Sequence, residues 1–227
     1  MHQLLTLGMV FALIGAPSLL LATKLLNVNP LALAPRLGLW FLALFVIVIA
    51  TTGSTSWSEQ LGLVPVTWTT LLGAAVATIA TLSAWPILWY VQKALGGVSV
   101  DQTQQYQDIV ALSYNYRVFL VATAAIVEEV LYRGYAIGLG QDLLGGQLPA
   151  AALSVAIFTL AHFRWGLSHL LSVLWSALTL TLLFTLTGDL MACVLAHAGI
   201  DAVGLLLVPA AIARQRQRAS SAPADDK

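Results

Sequence analysis

Apolar residues run in long stretches along this chain, at positions 4–23, 37–52, 68–90, 118–139, 148–163, 167–187 and 190–212. Most approach the ~20 residues that a helix needs to cross about 30 Å of hydrocarbon. The second and fifth are shorter, at about 16 residues, which predicts local membrane thinning or burial inside a bundle. Apolar and polar positions do not alternate with period two, so the pattern does not describe a transmembrane barrel. Pro30, Pro35, Gly53, Ser54 and Pro65 punctuate the early loops, and Gly96-Gly97 and Gly145-Gly146 mark later ones. The expected fold is all-α: a polytopic transmembrane helical bundle of about seven membrane helices.

Two polar segments interrupt the apolar ones. Residues 98–117 hold DQTQQYQD and then Tyr114, Tyr116 and Arg117. They read as a loop leading into a helix with interfacial aromatics. After the last apolar stretch come RQRQR and ASSAPADDK, a basic stop and a disordered tail. The chain therefore divides into residues 1–117, with three membrane helices and a polar cytoplasmic loop; residues 118–212, with four more; and the tail at 213–227. The first stretch lacks a basic segment before it and a small-residue cleavage site after it. It reads as a membrane helix and not as a signal peptide.

Composition narrows the class. Only 10 Lys+Arg and 10 Asp+Glu occur among 227 residues, against roughly a quarter charged in soluble domains. Net charge is zero, so no basic excess draws the chain to nucleic acid. The single cysteine, Cys193, excludes a disulfide framework. Positive charge marks cytoplasmic loops. Lys24, Arg36, Lys93, Arg117, Arg164 and the C-terminal arginines all fall on one side of a seven-span arrangement, which predicts N-out and C-in. The expected location is a multi-pass integral protein of a bacterial plasma membrane, with lipid around it.

An ionisable group at membrane depth costs about 2.5–3.5 kcal/mol on insertion scales, so each calls for a function or a partner. Here they fall in three stretches: Glu128, Glu129 and Arg133 in AIVEEVLYRG, His162 in IFTLAHF, and His197 and Asp201 in VLAHAGID. Glu129 and Arg133 have the i,i+4 spacing of a helical ion pair, and His197 and Asp201 share that spacing. Glu128 points about 100° away from Glu129, so one carboxylate is neutralised locally while the other is left for the bundle interior. Phe158 lies one turn before His162 and can wall off one side of its ring. Such a set suits two chemistries. A carboxylate could serve as general base on a water, or Glu128, His162, His197 and Asp201 could supply ligands to a divalent metal such as zinc. His169 reads as interfacial and Cys193 as a packing residue. No G-x-S-x-G elbow points to a serine hydrolase.

E-E-x-x-x-R, F-x-x-x-H and H-x-x-x-D in this order, on three separate helices, resemble the CPBP family of intramembrane proteases. That family includes type II CAAX prenyl endopeptidases and bacteriocin-processing enzymes, and the resemblance covers about residues 118–205. It implies an intramembrane endopeptidase acting on a peptide or protein substrate, lipidated or membrane-anchored. Glu128 and His162 would activate the water. His197 and Asp201 would stabilise the oxyanion or complete a metal site, and Glu129 and Arg133 would hold the geometry, with Phe158 in support. Family members with prenyl-peptidase activity tend to carry Asn where this chain has Asp201. Asn can donate a hydrogen bond and ionised Asp cannot, so Asp201 favours metal ligation or orientation of His197. The alternative is a non-catalytic membrane scaffold or small transporter using the same cluster.

The depths of these groups predict how water arrives. Glu128 lies eleven residues beyond Arg117, about 16 Å along a helix, and His162 lies two residues before Arg164. The cluster is therefore expected in a cavity open to the cytoplasm.

Overall fold

The computed structural model describes residues 2–94, 100–163 and 166–211. Arg164, Trp165 and the basic tail expected at 213–227 lie outside them. Among the described residues every regular element is helical and there is no strand.

Helix α1 (His2–Leu25) and α2 (Leu33–Gly53) form an apolar pair. The short α3 (Trp57–Gln60) follows, then α4 (Trp68–Ser83) and α5 (Trp85–Ala94). Polar α6 (Val100–Val110) leads to α7 (Tyr114–Glu129), which continues through a wider π-helical segment at Val130–Leu139. After α8 (Gly140–Leu144) come α9 (Gln147–Ala161), α10 (Leu167–Thr187) and α11 (Leu190–Ala202), the last widening at Val203–Leu207.

Five helices are long and apolar enough to cross a membrane: His2–Leu25, Leu33–Gly53, Trp68–Ala94, His169–Thr187 and Leu190–Ala211. The other two expected spans are helical but differ in kind. α9 has only 15 residues. The α7 span carries Glu128, Glu129 and Arg133 in its middle, and its π-helical part is buried on every side, from Val130 through Leu139. A helix that meets no lipid there can hold charge that an outer helix could not.

This central helix is held by its neighbours through polar bonds as well as packing. Tyr135 donates its hydroxyl to the Leu5 carbonyl on α1 at 3.1 Å. Trp40 Nε1 on α2 donates to Thr123 Oγ1 on α7 at 3.1 Å. Ser154 on α9 donates to the Tyr132 carbonyl at 2.7 Å, satisfying an acceptor that the π-helical ladder leaves available. Gly138 lies against the Gln60 carbonyl, and a Cβ there would collide with that backbone, so glycine is what admits the α3 turn against the central helix. On α11, Asp189 caps the helix by accepting from Ala192 N at 2.9 Å while Thr70 on α4 donates to its other oxygen at 2.6 Å. That cap fixes where α11 starts, and so the depth of His197 two turns later.

Candidate active site

The site forms where α7, α9 and α11 meet. Glu129 is the last residue of α7 before the helix widens, and it is fully buried. Its Oε1 accepts from Arg133 Nη1 at 2.9 Å, the i,i+4 pair expected from the spacing. The same oxygen accepts from His197 Nδ1 at 2.7 Å, which ties α7 to α11. A carboxylate can only accept here, so Nδ1 of His197 carries the proton. Arg133 is also fully buried. Its Nη2 donates to the Ala177 carbonyl on α10 at 3.2 Å, and its guanidinium stacks 4.7 Å from the centre of the Phe158 ring on α9. One arginine thus contacts three helices, with a cation–π contact in addition to its hydrogen bonds.

On the other edge of the His197 ring, Nε2 lies 3.6 Å from Asp201 Oδ2. That is ion-pair range but too long for a hydrogen bond. Asp201 keeps 29% of its side-chain surface exposed, so this edge of His197 faces the open side of the cluster.

Glu128 behaves differently from its neighbour. It is half-buried and makes no hydrogen bond among the described residues. Its charge reaches Tyr132, His197, Asp201 and, on α2, Arg36. The sequence expectation that one carboxylate is neutralised and the other left over holds, with Glu129 as the neutralised one.

His162 ends α9 as its cap residue. Its Nδ1 donates to the Phe158 carbonyl at 2.8 Å, because a carbonyl can only accept, and Nε2 is the nitrogen left over. The Phe158 ring lies 4.8 Å from the imidazole and 5.0 Å, edge-on, from Tyr132. Phe158 therefore does more than wall the ring: its backbone sets which nitrogen is available. His162 is within electrostatic reach of Asp201, but no hydrogen bond links it to Glu128.

Glu128, His162, His197 and Asp201 were expected as candidate metal ligands. Among the described residues, no three His, Cys, Asp or Glu side chains form a group that could hold a metal ion. His197 commits Nδ1 to Glu129 and His162 commits Nδ1 to Phe158, so each has one nitrogen to offer, and the two do not converge with a carboxylate. Cys193 is buried and gives its thiol to the Leu180 carbonyl at 3.5 Å, as expected of a packing residue.

Two contributors had no legible signal. The Ala177 carbonyl that Arg133 uses lies in an unremarkable apolar run. Arg36 reads as a loop charge in the sequence, yet it occupies the first turn of α2.

Residues 112–203 match the family model described as type II CAAX prenyl endopeptidase Rce1-like. Over that segment the chain is similar to the CPBP/CAAX protease family. The matched segment holds Glu128, Glu129, Arg133, Phe158, His162, His197 and Asp201, and leaves out α1 to α6 entirely. No curated protein and no solved structure matches the chain. The family match and the apolar helices together indicate an integral membrane protein.

Proposed function

We propose that the chain is an intramembrane endopeptidase in which Glu128 acts as general base on a water, without a metal. One observation carries this reading. Of the two adjacent glutamates in the family-matched segment, Glu129 gives its Oε1 to both Arg133 and His197 and only its buried Oε2 is unpaired, whereas Glu128 is left without any hydrogen bond beside them. A carboxylate kept at membrane depth with no structural bond to make is best explained by work on a ligand.

In this mechanism Glu128 takes a proton from the water as its oxygen attacks the scissile carbonyl, and the new C–O bond creates an oxyanion. The Nε2 of His162, left over by the Nδ1 bond to Phe158, holds the water on its second side. His197 is fixed through Nδ1, and its Nε2 edge meets the oxyanion and donates to it when the ring is protonated. The proton on Glu128 then passes to the leaving amine as the C–N bond breaks, which regenerates the carboxylate. Glu129 and Arg133 keep His197 in one tautomer and one orientation. The bundle has seven membrane helices oriented N-out and C-in, and water enters from the cytoplasmic side.

The family's description makes a prenylated CAAX peptide the first substrate to try. In proteoliposomes, Glu128→Gln should abolish cleavage of a quenched-fluorescence prenylated CAAX peptide while the purified protein keeps its thermal stability. Removing a positioned base costs about 10²–10⁴-fold in rate. Undiminished cleavage by Glu128→Gln would refute this assignment, and a cellular phenotype that survives it would favour the non-catalytic scaffold.

A further inference from the structure

Pro209 is buried in the helical run that carries α11 on to Ala211. It has no N–H, so one rung of the backbone ladder is missing there. Just before it the segment Val203–Leu207 is π-helical, and Val208 N donates back five residues to the Val203 carbonyl. An N–H at 209 would go next to the Gly204 carbonyl in that spacing, or to the Leu205 carbonyl in α-helical spacing. Side chains from other helices take both carbonyls instead. Tyr106 on polar α6 donates its hydroxyl to the Gly204 carbonyl at 3.0 Å. Arg117, near the start of α7, donates Nη1 to the Leu205 carbonyl at 2.8 Å. Backbone acceptors away from water need partners, and here the partners come from outside the helix.

These bonds act on the face of α11 that carries the candidate site. His197, Asp201 and Leu205 follow one another at four-residue spacing, and so share one side of the helix. α7 holds that side at two levels: Glu129 accepts from His197 at 2.7 Å, and Arg117 holds the Leu205 carbonyl. Arg117 precedes Glu129 while Leu205 follows His197, so the two helices run antiparallel. Asp201 lies between the two levels, 3.6 Å from His197 Nε2. Arg117 is half-buried, and among the described residues it makes no ion pair. An N–H at 209 would close the rung within α11 and release its end from α6 and α7.

We infer that Arg117 and Tyr106 are positioning residues. By supplying the donors that Pro209 withholds, they fix the rotation and depth of the α11 face that presents His197 and Asp201. The effect on catalysis rests on the endopeptidase reading above, in which His197 Nε2 meets the oxyanion. Tyr106, Gly204, Leu205 and Pro209 all lie outside the residues 112–203 that match the family model.

The test uses full chains in nanodiscs: wild type, Arg117→Met, Arg117→Lys, Tyr106→Phe, and the Met and Phe variants each combined with Pro209→Ala. Three quantities are read: the thermal midpoint, kcat and KM for a prenylated CAAX peptide, and the ring-nitrogen NMR signals of His197. Those signals are assigned among the four histidines with His197→Gln. A misplacement of about 1 Å can cost about 10²-fold, so Arg117→Met should lower kcat by at least about tenfold with KM little changed. It should also displace the His197 signals. Tyr106→Phe should do both to a smaller extent, and Arg117→Lys, which keeps a donor, should recover part of each. Pro209→Ala returns a backbone donor, so it should restore the midpoint of the Met and Phe variants but neither kcat nor the His197 signals. Recovery of all three by Pro209→Ala would mean that the side chains only satisfy carbonyls, and overturns the inference. An unchanged kcat, or His197 signals that stay at their wild-type positions, overturns it as well. If Arg117→Met does not fold, Arg117→Lys and Tyr106→Phe carry the same comparison. Displaced signals in a chain that cleaves no peptide even as wild type keep the positioning role and remove the endopeptidase reading instead.

Discussion

His197 Nδ1 donates to Glu129 Oε1 at 2.7 Å, across 68 residues of sequence, onto an oxygen that Arg133 already uses. One buried carboxylate therefore organises a cation from its own helix and an imidazole from another. Glu129→Ala would leave Arg133 buried without its counter-charge and His197 without its fixed tautomer. The expected loss is about 3–5 kcal/mol of stability, the usual cost of breaking a buried pair from one side. Thermal or denaturant unfolding in detergent measures it. A midpoint unchanged from wild type would mean that this bond does not support the bundle.

Asp201 should tolerate replacement by its amide. Its Oδ2 is 3.6 Å from His197 Nε2 and forms no hydrogen bond with it, and the side chain is partly exposed. Asn keeps the shape and adds a donor that an ionised Asp lacks. Asp201→Asn is expected to cost no more than about 1 kcal/mol of stability, as loss of a partly exposed ion pair does. Peptide cleavage should be retained or raised. A collapse of activity in this variant would show that the carboxylate charge itself is required.

Chelation should leave activity intact. Among the described residues no three His, Cys, Asp or Glu side chains form a group that could hold a metal ion. Protein purified with a chelator, carrying far less than one metal ion per chain by elemental analysis, is expected to cleave at the untreated rate. Activity that tracks metal content and returns on adding zinc would overturn the metal-free mechanism.

Access can be read with thiol chemistry, because the native cysteine is silent: Cys193 is fully buried. Phe163, next to His162, is exposed. Phe163→Cys should label with a membrane-impermeant maleimide in inside-out vesicles and resist it in right-side-out ones. The reverse pattern would invert the proposed orientation and the route of water together.

Much of this protein was determined by its sequence alone. Long apolar runs can only be helices in a membrane, where every backbone group must be satisfied within its own segment. The i,i+4 spacing of Glu129 and Arg133 made their pairing a local matter, and the structure contains it. The order of the three motifs on separate stretches pointed to the same family whose model matches residues 112–203. Tertiary structure decided the rest, because it depends on which residues distant in sequence come to lie together. Sequence spacing cannot say that His197 meets Glu129, or that Arg133 spends a donor on the Ala177 carbonyl, since a backbone oxygen carries no side-chain signature. Nor can it separate a short apolar stretch that crosses a thinned membrane from one packed within a bundle, so the sequence left both open for the 15-residue α9. Arg36 looked like a loop charge for the same reason: only the packing of α2 along α7 brings it within reach of Glu128.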